Sequence, residues 1–188
     1  MRTFSWIGHG ALGALALAFG VGCSGSDTGS PGSSGSSGAP AATTDSPEGA
    51  ALFEPPSSTK ATPDSIFGTW GGSADDGGIT FDIRMHFEKS SMTLAGRCSR
   101  EPDGTTPIVS ATVSARVSND GISILESKEN VSTNGKIACR VHPTPIEWKP
   151  CPTDDFAQPK KCFDLSGTSL SFYGDTPLEK STLTKLTD

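Results

Sequence analysis

The sequence predicts an all-β domain, a small antiparallel up-and-down barrel of about eight strands, carried behind an export signal and a flexible linker. Three observations predict it. Beyond Ile66, apolar and polar residues alternate in run after run, the period of a half-buried strand. Asp-Gly and Asn-Gly pairs stand between several of these runs, and both pairs tolerate the positive φ of tight hairpins. No stretch shows the helical period.

The N-terminus comes first. Arg2 is the only Lys, Arg, Asp or Glu before Asp27, and an apolar body follows at Trp6-Ile7 and from Ala11 to Val21. That body is shorter than the roughly 20 residues that span a bilayer, and its basic start and small-residue end fit a secretory signal. Gly22 then precedes Cys23. This junction resembles the bacterial lipoprotein signal, with Gly20 where leucine is usual. The resemblance implies that residues 1–22 are a signal peptide and that Cys23 becomes the first mature residue. Its sulfur would carry diacylglycerol and its amine a further acyl chain such as palmitate. Ser24, where aspartate would retain such a protein at the inner membrane, implies passage to the outer membrane. Several acyl chains hold durably, each buried methylene contributing about 0.8 kcal/mol. The alternative is ordinary cleavage nearby, leaving Cys23 as a free thiol.

Residues 23–63 are dominated by Ser, Gly, Pro, Thr and Ala. Such a segment buries too little apolar surface to offset its ordering entropy. It reads as a disordered tether with a root-mean-square reach of about 35 Å. Leu52 and Phe53 are its large apolar residues, either incidental or a weak docking contact.

The barrel domain is assigned to residues 64–188. Ile79, Phe81, Ile83, Met85 and Phe87 alternate with Thr80, Asp82, Arg84, His86 and Glu88. Met92, Leu94, Gly96 and Cys98 share one face of the next strand, and Val109, Ala111, Val113, Ala115 and Val117 one face of another. Shorter runs follow at Ile122–Ile124, Ile137–Val141 and Leu170–Phe172, and Ser181–Leu186 closes the chain. The connections are Glu88–Ser91, Pro102–Thr105, Asn119–Gly121 and Asn134-Gly135. A sheet with one apolar face removes its edges by closing on itself; a two-layer sandwich is the alternative. After Ile124 the apolar parity shifts to Leu125 and Val131. Either a β-bulge lies there, or Glu126 and Lys128 line an interior cavity.

Phe67-Gly68-Thr69-Trp70 opens the domain. This resembles the Gly-x-Trp start of lipocalins and the similar start of fatty-acid-binding proteins, the calycin superfamily. The resemblance implies that Gly68 and Trp70 pack across the closed end of a barrel, beneath a basic residue of the last strand. Lys185 is the matching residue here. A cation above an indole contributes about 0.5–1 kcal/mol when exposed.

Setting Cys23 apart leaves Cys98, Cys139, Cys151 and Cys162, an even set suited to two disulfides in an oxidising envelope. Three connectivities are open, and Cys98–Cys139 with Cys151–Cys162 is favoured. The spacing matches no zinc pattern. Between His142 and Lys161 the sequence holds five prolines with Trp148 and Phe156. Long loops of this kind are uncommon unless functional. This one is either a lid or partner-binding loop, in which Trp148 and Phe156 are the contacts, or a cover over the barrel rim that buries Trp148.

A net charge of −6 argues against a nucleic-acid groove, which needs clustered Lys and Arg. The histidines of the domain, His86 and His142, stand apart from any nucleophile, metal-ligand or phosphate-loop motif. The expectation is a protein without catalytic residues, cofactor or metal, held to the bacterial envelope by its lipid. Two functions fit. One is a carrier with a small apolar ligand inside the barrel, in space left by Gly96, Ala111 and Ala115. The other is a module that binds an envelope protein through the 142–161 loop, similar in layout to small disulfide-bonded barrels that inhibit hydrolases.

Overall fold

The structure, a computed structural model, describes residues 22–25, 41–55, 61–152, 161–174 and 180–188. In chain order the strands are β1 (Gly22–Gly25), β2 (Gly68–Asp76), β3 (Ile79–Phe87), β4 (Ser91–Arg100), β5 (Gly104–Thr105), β6 (Val109–Ser118), β7 (Gly121–Ile124), β8 (Asn130–Thr133), β9 (Ile137–Val141), β10 (Ile146–Pro150), β11 (Cys162–Ser166), β12 (Ser169–Tyr173) and β13 (Lys180–Thr187). One short helix, α1, spans Pro47–Phe53.

Nine strands close into a barrel in the order β3-β2-β13-β12-β11-β10-β7-β6-β4, with β4 pairing back to β3. The alternation sets the register. Ile79, Phe81, Ile83, Met85 and Phe87 are all buried, while their neighbours on β3 are half-exposed. Across the β3–β4 ladder Phe81 faces Cys98, Ile83 faces Gly96 and Met85 faces Leu94, so one continuous apolar face turns inward. β2 turns into β3 through Gly77 and Gly78, at φ 58° and 79°, the two-residue hairpin whose twist matches the strands.

Two features depart from a simple meander. Where the parity shifts, the chain leaves the wall. β7 ends at Ile124, and β10 rejoins beside it with Ile146 opposite Ile124. The residues between form the β8–β9 hairpin, which belongs to a separate three-stranded sheet with β1. Glu126 and Lys128 are exposed, so neither a bulge nor an interior lining accounts for them. The hairpin packs against β4, and Ile137, Cys139 and Val141 are buried. Cys98–Cys139 ties it to the wall, with a Cα–Cα distance of 5.4 Å. The second departure is β10–β11, which pair in parallel over two residues, Lys149 with Cys162 and Pro150 with Phe163. Residues 146–150, expected as part of a long loop, are therefore wall. The second disulfide joins Cys151, just past β10, to Cys162 at the start of β11, Cα–Cα 4.9 Å. Both disulfides follow the favoured pairing; in the chain-entropy model they stabilise by about 4 and 3 kcal/mol.

Within the expected disordered tether, residues 23–25 and 41–55 are ordered. Gly22–Gly25 pairs antiparallel with β9, Cys23 opposite Cys139. Residues 41–55 lie as a strap across the outside of the wall. Asp45 accepts a hydrogen bond from Ile108 N at 2.7 Å, and Ser46 N donates to Ile108 O at 2.8 Å. Ser46 then caps α1, accepting from Gly49 N, with Pro47 in the first turn. These are the residue types that start helices.

The space beside Gly96 is filled. A Cβ built on Gly96 would lie 2.5 Å from Phe81 Cζ and 3.4 Å from Val141 Cγ1. The gap in that side-chain row is taken by the Phe81 ring and by the β8–β9 hairpin. Ala111 and Ala115 are likewise buried within the core. Gly96→Val is expected to destabilise by about 1–3 kcal/mol, the range for overpacking, and adding Phe81→Leu should restore part of the loss. Urea unfolding of the two variants measures both effects; a neutral Gly96→Val would show the space to be empty.

Candidate functional site

Three places on the barrel bring chemistry-bearing residues together. The first is the end where β2 begins. Gly68 has φ +102°, and a Cβ there would lie 2.2 Å from Thr187 O, so only glycine allows β2 to enter this close to the last strand. Trp70 is fully buried, and its Nε1 donates to Ile66 O at 2.8 Å. Lys185 points inward, its Nζ 5.7 Å from the centre of the Trp70 ring. Its side chain is wholly shielded from solvent, and a buried ammonium needs compensating oxygens. They are present: Thr62 O at 2.8 Å, Ser65 O at 3.0 Å and Asp188 Oδ1 at 2.8 Å. Asp188 also accepts from Thr62 N and Thr62 Oγ1. The side-chain bond from Lys185, followed by the bonds from Thr62, holds the Asp188 carboxyl well below the ordinary carboxylate range. The chemistry of this site is structural: every polar group in it serves another part of the chain.

The second place surrounds the Cys151–Cys162 staple. Trp148 lies inside the wall at 1% exposure, edge-on to Phe172 with ring centres 5.1 Å apart. It is therefore a core residue, as the reading of a cover that buries Trp148 expected. Its Nε1 is buried without a hydrogen-bond partner among the described residues. Phe156 lies outside the described residues.

The third place lies under the strap. The register aligns Gly71, Arg84, Ala95 and Ser110 in one row across the outer face of β2, β3, β4 and β6. α1 rests on the Ala95–Ser110 end, where Gly49 approaches so closely that a Cβ would meet Ile108 Cγ2 at 2.8 Å. Thr112 donates to Glu48 at 3.1 Å. Phe53 lies between two guanidinium groups, Arg84 Cζ 4.7 Å and Arg97 Cζ 5.0 Å from its ring centre. Arg97 is paired with Asp82 at 3.1 Å. Arg84 makes no ion pair among the described residues, and its Nη1 donates to Ile83 O at 2.8 Å. Desolvation by burial is the leading cause that lowers the Arg84 pKa. Beside Arg84 a cleft of about 520 Å³ opens between the C-terminal turn of α1 and the barrel, its lining including Leu52, Phe53, Thr69 and Leu186. The sequence reading passed over Arg84 as one more polar residue on an outward strand face. A Ser-Pro-Glu start to α1 was the available signal that something covers it.

The two domain histidines are apart and engaged with hydroxyls, His86 with Thr69 at 2.9 Å and His142 with Ser127 at 2.8 Å. Among the described residues no group of His, Cys, Asp and Glu is placed to hold a metal, and no helix is long and apolar enough to cross a membrane. Comparison with known families, curated proteins and solved structures finds no match.

The Asp188–Lys185–Thr62 clasp has a pH signature. A carboxyl whose folded pKa is depressed contributes stability that is complete above its unfolded value, about 4, and is lost as pH falls toward the folded value. Asp188→Asn is therefore expected to lower the thermal midpoint at neutral pH, with a gap to the native chain that closes in the acid range. Midpoints measured across that range check it; a gap independent of pH would exclude the carboxylate as its source.

Proposed function

We propose that the protein is a lipid-anchored lipoprotein of the bacterial envelope, at the outer membrane, whose barrel is a rigid module for binding another envelope protein. The observation that carries this reading is the Phe81 ring and Val141 occupying the space beside Gly96. Interior space beside Gly96 taken by the chain's own residues supports a scaffold more than a container, since ligand sites of carriers are open cavities of some 300–1,000 Å³. The segment between Cys151 and Cys162 is the partner contact in this reading, with Phe156 as its anchor. Its ends are fixed by the staple and its base is backed by Trp148 within the wall. A loop pre-ordered at its base loses less entropy on binding. The lipid anchor rests on the Gly22-Cys23 junction behind the apolar signal.

One observation favours the carrier reading instead. The Trp148 Nε1 donor is buried and without a partner among the described residues, and such groups call for an acceptor, whether water or the polar end of a guest.

Two measurements test these readings. Cys23→Ala is expected to release the protein from membranes and to abolish labelling by radioactive palmitate; a membrane-bound, labelled variant would refute the anchor. A photo-crosslinking residue in place of Phe156 is expected to trap one discrete envelope protein, while the same residue in place of the outward Thr182 traps none. Organic extraction of the purified protein should yield no stoichiometric lipid. A stoichiometric lipid together with no crosslink would reverse the choice in favour of the carrier.

A further inference from the structure

The cleft under the strap lies outside the barrel wall, so it is independent of whether the interior is filled. Its composition is specific. One wall is apolar, formed by Leu52 and Phe53 from α1 and by Leu186 from β13. Arg84 provides the cation, half-buried and free of any carboxylate partner among the described residues, because Asp82 is taken by Arg97. A guanidinium presents five N–H donors in a planar fork matched to a carboxylate. One of these bonds is made, to Ile83 O, and the remaining donors have no acceptor among the described residues. Gly71 lies beneath, where a Cβ would collide with Arg84 Nη1 and Leu186 Cδ1, each at 2.8 Å. Leaving out a side chain there seats the guanidinium and the leucine side by side on the wall. The other charged residues lining the cleft, among the described residues, are acidic. Glu54 is exposed at the rim, and Asp188 is already bound by Lys185 and Thr62.

We infer that this cleft binds a small amphiphilic monocarboxylate, its carboxylate held by the free N–H groups of Arg84 and its apolar body lying against Leu52, Phe53 and Leu186. The volume of about 520 Å³ falls within the range of small-molecule sites. A single unpaired guanidinium neutralises one negative charge. Glu54 and Asp188 on the same rim repel a second, which selects a monoanion over a phosphate dianion. The half-buried setting strengthens the charge-assisted bond, since little water competes with the ligand there.

Sodium decanoate is the probe, titrated into the purified full chain by calorimetry, with decanol as its neutral counterpart. Decanoate is expected to saturate a single site, and Arg84→Gln to weaken it about tenfold or more while leaving decanol unchanged. Arg84→Gln also removes one cation from Phe53, so Leu52→Glu is the second variant. It keeps Arg84 and places a repelling acid in the apolar wall, and the same loss is expected. Amide resonances of Thr69, Gly71 and Leu186 should shift with decanoate, while those of Leu94 and Phe172 inside the barrel should not. Equal decanoate affinity in the native chain and both variants would overturn the assignment, as would an absence of saturation up to about 1 mM. Shifts confined to interior residues would also overturn it and would support the carrier reading instead.

Discussion

A closed sheet encloses a fixed volume, and everything inside that volume must be supplied by side chains or by something that comes in from outside. At about eight strands a barrel is just wide enough for side chains to fill; this one has nine. The inward faces of β2 and β4 work against filling, since Gly72 and Gly96 carry no side chain. Large aromatic residues and a second layer supply the difference. Leu183 Cδ2 lies 2.8 Å from where a Gly72 Cβ would be, and Phe81 and Val141 meet over Gly96. The β8–β9 hairpin is thus part of the core as much as a connection. Its buried residues alternate with exposed ones as they do in the wall strands. The Cys98–Cys139 bond joins two buried positions of the same core, so the disulfide holds the filling in place as well as shortening the unfolded chain.

The end at Trp70 is closed differently, by a charge. An inward lysine in a barrel is costly unless its hydration is replaced. Here the replacement comes from sequence-distant segments: Thr62 and Ser65 before the first wall strand, and Asp188 after the last. The same approach segment is held by other bonds. Asn119 from the β6–β7 turn accepts from Ile66 N and donates to Asp64 O, while Asp64 accepts from Gly167 N in the β11–β12 turn. Closing this end therefore fixes the entering segment, the final residue and two hairpin turns together. Lys185 is a positioning device for chain entry, which an arginine fork would fill with a different set of acceptors.

Much of the barrel was legible because burial on one face leaves a period of two in the sequence. That held for β3, β4, β6 and β9, whose alternating apolar residues are buried as the pattern required, and on β13 for Leu183. β2 was illegible for a physical reason. Its sequence, GTWGGSADD, is shaped by close approach, to Thr187 at Gly68 and to Arg84 and Leu186 at Gly71, and close approach selects glycine where a strand signal would need bulk. β10 was hidden by its prolines. It pairs antiparallel with β7 over three residues and parallel with β11 over two, and so short a ladder tolerates Pro150 at its end. The parity break after Ile124 was read correctly as a disturbance and wrongly as a local one. A bulge and a departure from the wall look the same within five residues. They differ only in what the chain does next, which no local period reports. The disulfides were legible from parity and loop length. The placement of Trp148 was left open between a contact residue and a buried one, because an aromatic among prolines carries no face label.

The strap shows where composition misleads. A Ser/Gly/Pro-rich segment cannot order itself, and a helix as short as α1 has no independent stability in water. Its order is borrowed from the wall. Ala95 and Ser110 face outward on central strands, where small size contributes nothing to the interior, yet Ala95 is fully buried. What covers it is the strap: Ser46 and Ser110 are joined through their hydroxyls, and Gly49 lets the helix backbone descend onto Ile108 and Ser110. Phe53 fastens the far end between two guanidinium groups, each such contact contributing about 0.5–1 kcal/mol at an exposed site. Arg97 already has Asp82 as its counter-ion, so its contact with Phe53 is additional to a satisfied charge. Arg84 makes no ion pair among the described residues, and its desolvation outweighs the opposing pull of the Asp82 charge. The strap thus does two opposed things to one residue, since the Phe53 ring attracts the cation while its cover strips away water. An anion entering the cleft removes the conflict and leaves the Phe53 contact intact, which couples occupancy of the cleft to docking of the strap.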